Sequence, residues 1–447
     1  MHPFVIELND RAVAFASGGR VLSVAPSAVW DGSTGEVPGS SAWNALRRHP
    51  TATSTRHLGM VLSQPRASDR AVALVAAEWA SRLTAQSPAS DEKVWVATPA
   101  HASAQGLRAL LAIARKLTLP VDGFVDTAVA AVGALELQEQ QSAIVLEIGL
   151  YHAAATYVDR DGAQVRRRRT VVTERGGLMS FYQGWLELVS TTLVKRTRFD
   201  PLHDAATEQQ LFDSLAAWAA TAARHGSAQA VVTKGAERFE VSLTRDQFAQ
   251  AGQAQHREII RLLHELRPAG APLALVVPAL LEQLPGFHDE LEQFTGCELV
   301  SLPDGFAAQA VSQLDLPGRE PDQSVRLLRR LPANPQGVGD VARIPLGGEH
   351  AQPSHLLLNG QVYALGEPLV IGRAPTGPRI IALPEGLAGV SRRHCTLTPE
   401  GNEVVLVDHS SFGTYVNGER VAERVRVCAG DRVRIGDPGV ELSLICV

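Results

Sequence analysis

A chain of 447 residues, 45% apolar and 20% charged, is too long for one ordinary core and is not composed like a disordered or fibrous protein. Its net charge of −5 excludes a general pull toward nucleic acid or anionic membrane, so any anion site must be local. Lysine occurs only at positions 93, 116, 195 and 234, and arginine supplies the remaining positive charge.

Glu7, Asp10 and Arg11 interrupt the apolar stretch that a signal peptide needs. The longest apolar run, Pro272 to Leu281, is far short of a membrane span. Cys297, Cys395, Cys428 and Cys446 form no CxxC pair and no zinc spacing. Three of them would fall in or near strands and read as small buried apolar residues, and the setting reads as reduced and cytoplasmic. The expectation is no metal, no nucleic acid and no membrane span.

In chain order, Phe4–Leu8, Val94–Thr98, Ala143–Ile148 and Leu273–Val277 are short apolar runs, the signature of strands covered on both faces. Helical periods fall between them at Ala71–Thr84, Ser103–Leu117, Thr207–Arg224 and His256–Leu266. This alternation predicts an α/β domain over 1–316. Residues 317–354 are rich in Pro, Gly and Arg without an apolar period, and read as a linker. From 355 to 447, β-rich runs such as Glu403–Val407, Arg432–Ile435 and Glu441–Ile445 alternate with turn cues at Asn359-Gly360, Gly401-Asn402, Asn417-Gly418 and Gly430-Asp431. Asn-Gly between apolar runs favours a tight hairpin, and the whole predicts an all-β sandwich.

Several segments of 1–316 together resemble the actin-like superfamily, whose fold is a duplicated ribonuclease-H-like domain, and within it the heat-shock chaperone ATPases. They are Val5–Arg11 at the first phosphate loop, Val94–Ala100 with its following helix, Leu119–Ala131, Ile144–Gly149 at the second phosphate loop, Gly176-Gly177, Leu243–Phe248, and Leu273–Gly286 followed by Gly305–Ala310. The resemblance implies a nucleotide cleft near Glu7, Asn9, Glu147, Gly149, Gly176 and Gly177. It also implies a degenerate one. Glu7 stands for the usual Asp and Asn9 for Gly, Tyr151-His152 follow the second loop, and Val277-Pro278 replace paired glycines. The chaperone's catalytic lysine, due near Arg56–Met60, is missing. Phosphate loops need glycine because backbone N–H groups must approach closely. The expected state is a pseudo-ATPase needing no cofactor, with ATP and magnesium unused and no catalytic residue. Glu7 and Glu147 then read as plain acidic strand ends.

The order Gly372-Arg373, Ser391-Arg392-Arg393-His394, Ser410-Ser411-Phe412-Gly413-Thr414 and Asn417-Gly418 resembles the forkhead-associated (FHA) family, whose pattern is GR, SxxH, (S/T)NGT and a further NG turn. The resemblance spans about 356 to 447. It implies that Arg373, Ser391, Arg392 and Ser411 hold a phosphothreonine, with Gly372, His394, Gly413, Asn417 and Gly418 structural. Arginine suits a phosphate dianion because its fork donates two parallel hydrogen bonds. Phe412 stands where the family has an Asn that contacts the peptide backbone, so peptide selectivity is expected to differ.

There is no GxxxxGK[ST], GxSxG or HExxH motif. The run Arg166–Arg169 lacks aromatic interleaving and reads as a solvated strand edge. The functional expectation is a scaffold that engages a phosphothreonine-bearing partner, written by a Ser/Thr kinase, through its FHA module. The alternatives are an active chaperone-type ATPase targeted by that module, and a filament former. Thr51, Thr53 and Thr55, in a polar stretch expected to be exposed, are candidate sites for self-recognition.

Overall fold

β1 (Phe4–Leu8) is apolar at nearly every position because both its faces are covered. It runs antiparallel to β2 (Ala12–Ser17), which runs antiparallel to β3 (Arg20–Pro26). β4 (Val94–Thr98) lies parallel to β1, and β5 (Val121–Asp126) parallel to β4. The first sheet is therefore ordered β5-β4-β1-β2-β3. The plan then repeats with β6 (Ser142–Ile148), β7 (Ala153–Asp161), β8 (Gln164–Thr173), β9 (Leu273–Pro278) and β10 (Cys297–Leu302). Their order is β8-β7-β6-β9-β10, again an antiparallel meander followed by two parallel strands. The computed structural model describes residues 2–32, 35–64, 67–89, 92–137, 141–268, 273–292, 294, 297–319, 324–333, 341–346, 353–359, 361–384, 386–401, 403–436 and 439–445.

The helices divide the core into three layers. α1 (Asp69–Ala85) and α2 (Ala104–Lys116) cover Phe4, Ile6, Val94 and Val96 on the outer face of the first sheet. α3 (Thr127–Gly133) lies between the sheets and is buried on every side, so it is apolar all round. α4 (Leu178–Thr197), α5 (Ala205–His225) and α6 (Gln253–Leu266) cover Ile144, Leu146, Leu275 and Val277 on the second sheet's outer face. α7 (Phe306–Val311) returns to the middle layer beside α3. Ser68, Ser103, Asp126 and Asp204 cap α1, α2, α3 and α5 by accepting first-turn N–H groups.

The segment read as a linker contributes three edge strands. β11 (Arg326–Leu328) joins the first sheet beside β5, β12 (Arg330–Pro332) the second beside β8, and β13 (Ala342–Leu346) the second beside β10. An edge strand needs only its backbone donors and acceptors to pair, so no apolar period announced it. Residues 320–323, 334–340 and 347–352 of that segment, with Gly360, Asn402 and Cys446, lie outside the described residues.

β14 (His355–Leu358), β15 (Gln361–Ala364), β16 (Leu369–Gly372), β17 (Ile380–Ala382), β18 (Cys395–Glu400), β19 (Glu403–Asp408), β20 (Thr414–Val416), β21 (Glu419–Arg420), β22 (Arg424–Val427), β23 (Arg432–Ile435) and β24 (Val440–Ile445) build a two-sheet sandwich. One sheet runs β15-β14-β24-β23-β20-β21 and the other β17-β16-β18-β19-β22. Leu356, Leu369, Ile371, Leu397, Leu406 and Val433 are among the residues of its core. The sandwich is docked on the α/β body: Arg267, just past α6, meets Asp431 at 3.4 Å, with side-chain exposures of 5% and 1%.

Two further expectations differ from the structure. Thr53 and Thr55 are buried, because Thr53–Ser54 pairs with Val29–Trp30 and the Thr55 hydroxyl meets that of Tyr151 at 2.5 Å. Only Thr51 of the three is exposed. The arginine run is not a free solvated edge. Arg166 and Arg168 face Asp159, Arg167 bonds Asp126 at 2.6 Å, Arg169 bonds Glu265 at 2.6 Å, and β12 covers part of the strand. Among the described residues no helix is long and apolar enough to cross a membrane, and Cys297, Cys395 and Cys428 are free and buried.

Candidate functional site

β16 ends at Gly372, where a Cβ would lie 2.2 Å from the carbonyl oxygen of Arg392. Only glycine permits that approach. The Arg373 N–H then donates to the Ser391 carbonyl at 3.0 Å, and the Ala374 N–H to the Arg392 carbonyl at 3.0 Å. His394 is wholly buried beneath the same loop. The Ser391 N–H donates to its Nδ1 at 3.1 Å, so Nε2 carries the proton and faces the Gly413 carbonyl at 3.3 Å. Burial holds the imidazole below its usual pKa, in the neutral form this two-sided bonding requires.

The neighbouring loop is tied to the first by the Ser411 N–H, which donates to Ser391 Oγ at 3.2 Å. Within it, Asp408 accepts from the Ser410 N–H at 2.9 Å and the Thr414 hydroxyl at 2.8 Å. Burial works against the Asp408 charge, yet these bonds outweigh it and hold its carboxyl below the usual range. The Gly413 N–H donates to Ser410 Oγ at 2.7 Å, and Gly413 takes a φ of 97°. Asn417 and Gly418, at φ 51° and 86°, form the turn between β20 and β21, and Asn417 Nδ2 donates to Asp431 at 2.9 Å.

These bonds bring the backbones of residues 373, 391–392 and 411 together at one end of the sandwich, with Arg373, Arg392, Ser411 and Phe412 exposed. Phe412 is 69% exposed. Among the described residues, neither the Arg373 nor the Arg392 guanidinium has a partner. The contrast with the rest of the sandwich is informative. Arg379 bonds two carbonyls, Arg393 bonds Thr396, Arg424, Arg426 and Arg432 face Glu400, Glu403 and Glu441, and Arg434 bonds Gly436 and stacks on Tyr415. One further arginine, Arg420, is also without a partner, and it lies so close over Gly413 that a Cβ there would be 2.5 Å from its Nε. The three arginines of the sandwich without a hydrogen-bond or ion-pair partner thus stand on or against the two tied loops.

The sequence reading assigns no role to Asp408, which heads the third FHA element, or to Arg420. Asp408 carried a signal, an Asp two residues before a Ser, the pattern of a side chain bonding its own backbone further on. Arg420 carried none, because only the folded hairpin brings it over Gly413.

In the α/β body the sequence-derived cleft residues divide. Glu7, Asn9 and Glu147 line one narrow space of about 80 Å³ with Arg11, Thr127 and Asp304. Glu7 accepts the Ala308 N–H at 2.7 Å, Glu147 accepts from Thr127 and the Ala100 N–H, and Arg11 pairs with Asp304. Burial pushes both Glu7 and Glu147 up to about 7. The glycines do not line that space. A Cβ on Gly149 would meet Asp10 Oδ1 at 2.2 Å, one on Gly177 the Tyr151 carbonyl carbon at 2.5 Å, and one on Gly176 the Ala153 Cβ at 2.8 Å. They are close-packing positions around the β6–β7 turn.

A wider cleft of about 460 Å³ opens beside that turn, lined by Asp10, Arg56, His101, Tyr151 and His152 among others. Burial opposes a charge on His152, but the hydrogen bond and charge of Asp10 carry its imidazole above the usual value. His101, edge-on to His152 at 4.0 Å between ring centres, is driven down to about 3 by burial and by that neighbour. Among the described residues no cluster of His, Cys, Asp and Glu is arranged to hold a metal.

Among curated proteins, none matches this chain. Residues 369–436, which include both loops and the sandwich's three unpartnered arginines among the described residues, match the family model of the FHA domain, and the carboxy-terminal sandwich is an FHA domain.

Proposed function

We propose that the protein is an adaptor whose FHA domain captures a phosphothreonine on a partner, and whose α/β body is an actin-like domain without ATP turnover that holds a second protein. One observation carries the first part: Arg373 and Arg392 are left without partners beside the hydroxyl-bearing Ser391 and Ser411, while most other arginines of the domain are neutralised or bonded. A phosphoryl dianion supplies the missing charge and accepts from both hydroxyls. A Ser/Thr kinase must write that phosphate. The free, buried cysteines support a reducing, cytoplasmic setting.

The repeated strand order of the two sheets supports the actin-like reading. Against turnover stands the small space left between the two acidic strand ends. The space between Glu7 and Glu147 is about 80 Å³, below the roughly 300 Å³ of an ordinary ligand pocket. Their carboxylates are also committed to backbone and hydroxyl donors of the protein itself.

The test is binding of a fluorescent phosphothreonine peptide library to the full chain and to Arg373→Ala. Loss of a charged donor should weaken binding by about 1.5–3 kcal/mol, roughly ten- to a hundredfold. Equal binding by both proteins would refute the site. For the body, titration with labelled ATP and a phosphate-release assay should show neither tight binding nor turnover; both together would establish an enzyme instead.

A further inference from the structure

We infer that the FHA domain selects phosphothreonine peptides carrying an acidic side chain within about two residues of the phosphothreonine, and that Arg420 is the residue that reads it; this rests on the phosphothreonine reading above.

Tyr415 on β20 has Arg420 as its cross-strand partner on β21 and Arg434 as its partner on β23. All three side chains share one face. The Tyr415 ring is taken by Arg434, whose guanidinium carbon lies 4.2 Å from the ring centre. Arg420 lies instead over Gly413, which has no side chain to resist it. Gly413 is thereby held from two sides, its carbonyl by His394 and its Cα by Arg420. Glu419, the chain neighbour of Arg420, sits at the next position along the strand, so its side chain leaves from the opposite face. Among the described residues no carboxylate pairs with Arg420.

Distance then decides what Arg420 meets. Ser411, the phosphate-side hydroxyl, and Gly413, beneath Arg420, are two residues apart, at most about 7 Å of chain. A peptide crossing this loop with its phosphate at Ser411 therefore carries a side chain one or two residues away into reach of Arg420. A carboxylate there forms a charge-assisted pair with a guanidinium that gives up no existing partner. Phe412 stands between the two points, 69% exposed, where the peptide passes. It offers an apolar face and no hydrogen bond to the peptide backbone, which leaves side-chain charge as the source of register.

Fluorescence anisotropy on the full chain tests this with two phosphothreonine peptide pools. One carries Asp, the other Asn, scanned over the two positions on each side of the phosphothreonine. Wild type should prefer the Asp pool by roughly three- to tenfold. Arg420→Gln should bind both pools at the weaker level, Arg420→Lys should keep part of the preference, and Arg420→Glu should prefer a Lys-substituted pool. Equal binding of the Asp and Asn pools by wild type, or an undiminished preference in Arg420→Gln, overturns the assignment of Arg420 while leaving phosphothreonine capture intact. Failure of wild type to bind any phosphorylated pool removes the underlying reading and this one with it.

Discussion

The guanidinium of Arg267, at the end of the helix Gln253–Leu266, meets the carboxylate of Asp431 in the FHA domain at 3.4 Å, and both side chains are almost fully enclosed. Asp431 also accepts from Asn417 Nδ2 and from the Cys428 N–H. Burial raises the Asp431 carboxyl above its usual value despite the opposing pull of Arg267. The pair therefore contributes little net stability, yet either member alone is a stranded charge.

Arg267→Ala is accordingly expected to destabilise the protein by about 3–5 kcal/mol. Replacing Asp431 by Asn as well should cost less than the sum of the two single changes. Urea unfolding of the four proteins checks this, and strict additivity would deny the coupling.

Gly372→Ala should disturb the phosphate end directly. Its methyl group would sit 2.2 Å from the Arg392 carbonyl oxygen, which is backbone and cannot swing away. Overpacking of this kind costs about 1–3 kcal/mol. Thermal unfolding should register the loss, and phosphopeptide affinity should fall with it because the 373–391 backbone bond is forced apart.

His394→Ala removes the acceptor of the Ser391 N–H and the donor to the Gly413 carbonyl at once. A loss of about 1–3 kcal/mol for each group left unsatisfied is expected. Peptide binding should weaken even though His394 itself is wholly buried and out of a peptide's reach.

The contribution of Glu7 and Glu147 to the body's stability should fall as pH rises toward about 7, against the opposite slope of the buried, depressed His101 and His256. Burial raises Glu7 and Glu147 from 4.5 to about 7, so the native state keeps protons that the unfolded chain has already released. Stabilisation is complete below about 4.5 and lost above about 7, a difference on the order of 3 kcal/mol for each group. Glu7→Gln and Glu147→Gln should each remove that fall, so that their stability relative to wild type rises between pH 5 and 7. Denaturant midpoints across that range measure it; an unchanged slope would mean that both carboxyls titrate normally.

Much of the body was legible because strands enclosed on both faces are apolar throughout, as in Phe4–Leu8 and Val94–Thr98, whose limits match. Strands with an outward face were not. Gln164–Thr173 carries four arginines, and Ser227–Lys234 with Glu237–Thr244 alternates buried and exposed positions without an apolar run. At the FHA loops, Gly372 and His394 could be read locally because their constraints arise within a few residues. Arg420 could not, since its position depends on Tyr415 being occupied by Arg434 across the sheet. The burial of Thr53 and Thr55 was hidden likewise, as it comes from strands distant in sequence.

Because one enclosed carboxylate grips both the body and the hairpin turn at Asn417, the FHA domain cannot swivel without pulling a charge out of its socket. The protein is thus built as a bracket rather than a tether. Cargo seated on its phosphate-facing loops is presented to the body on a set bearing, so orientation as well as proximity is delivered when a partner is captured.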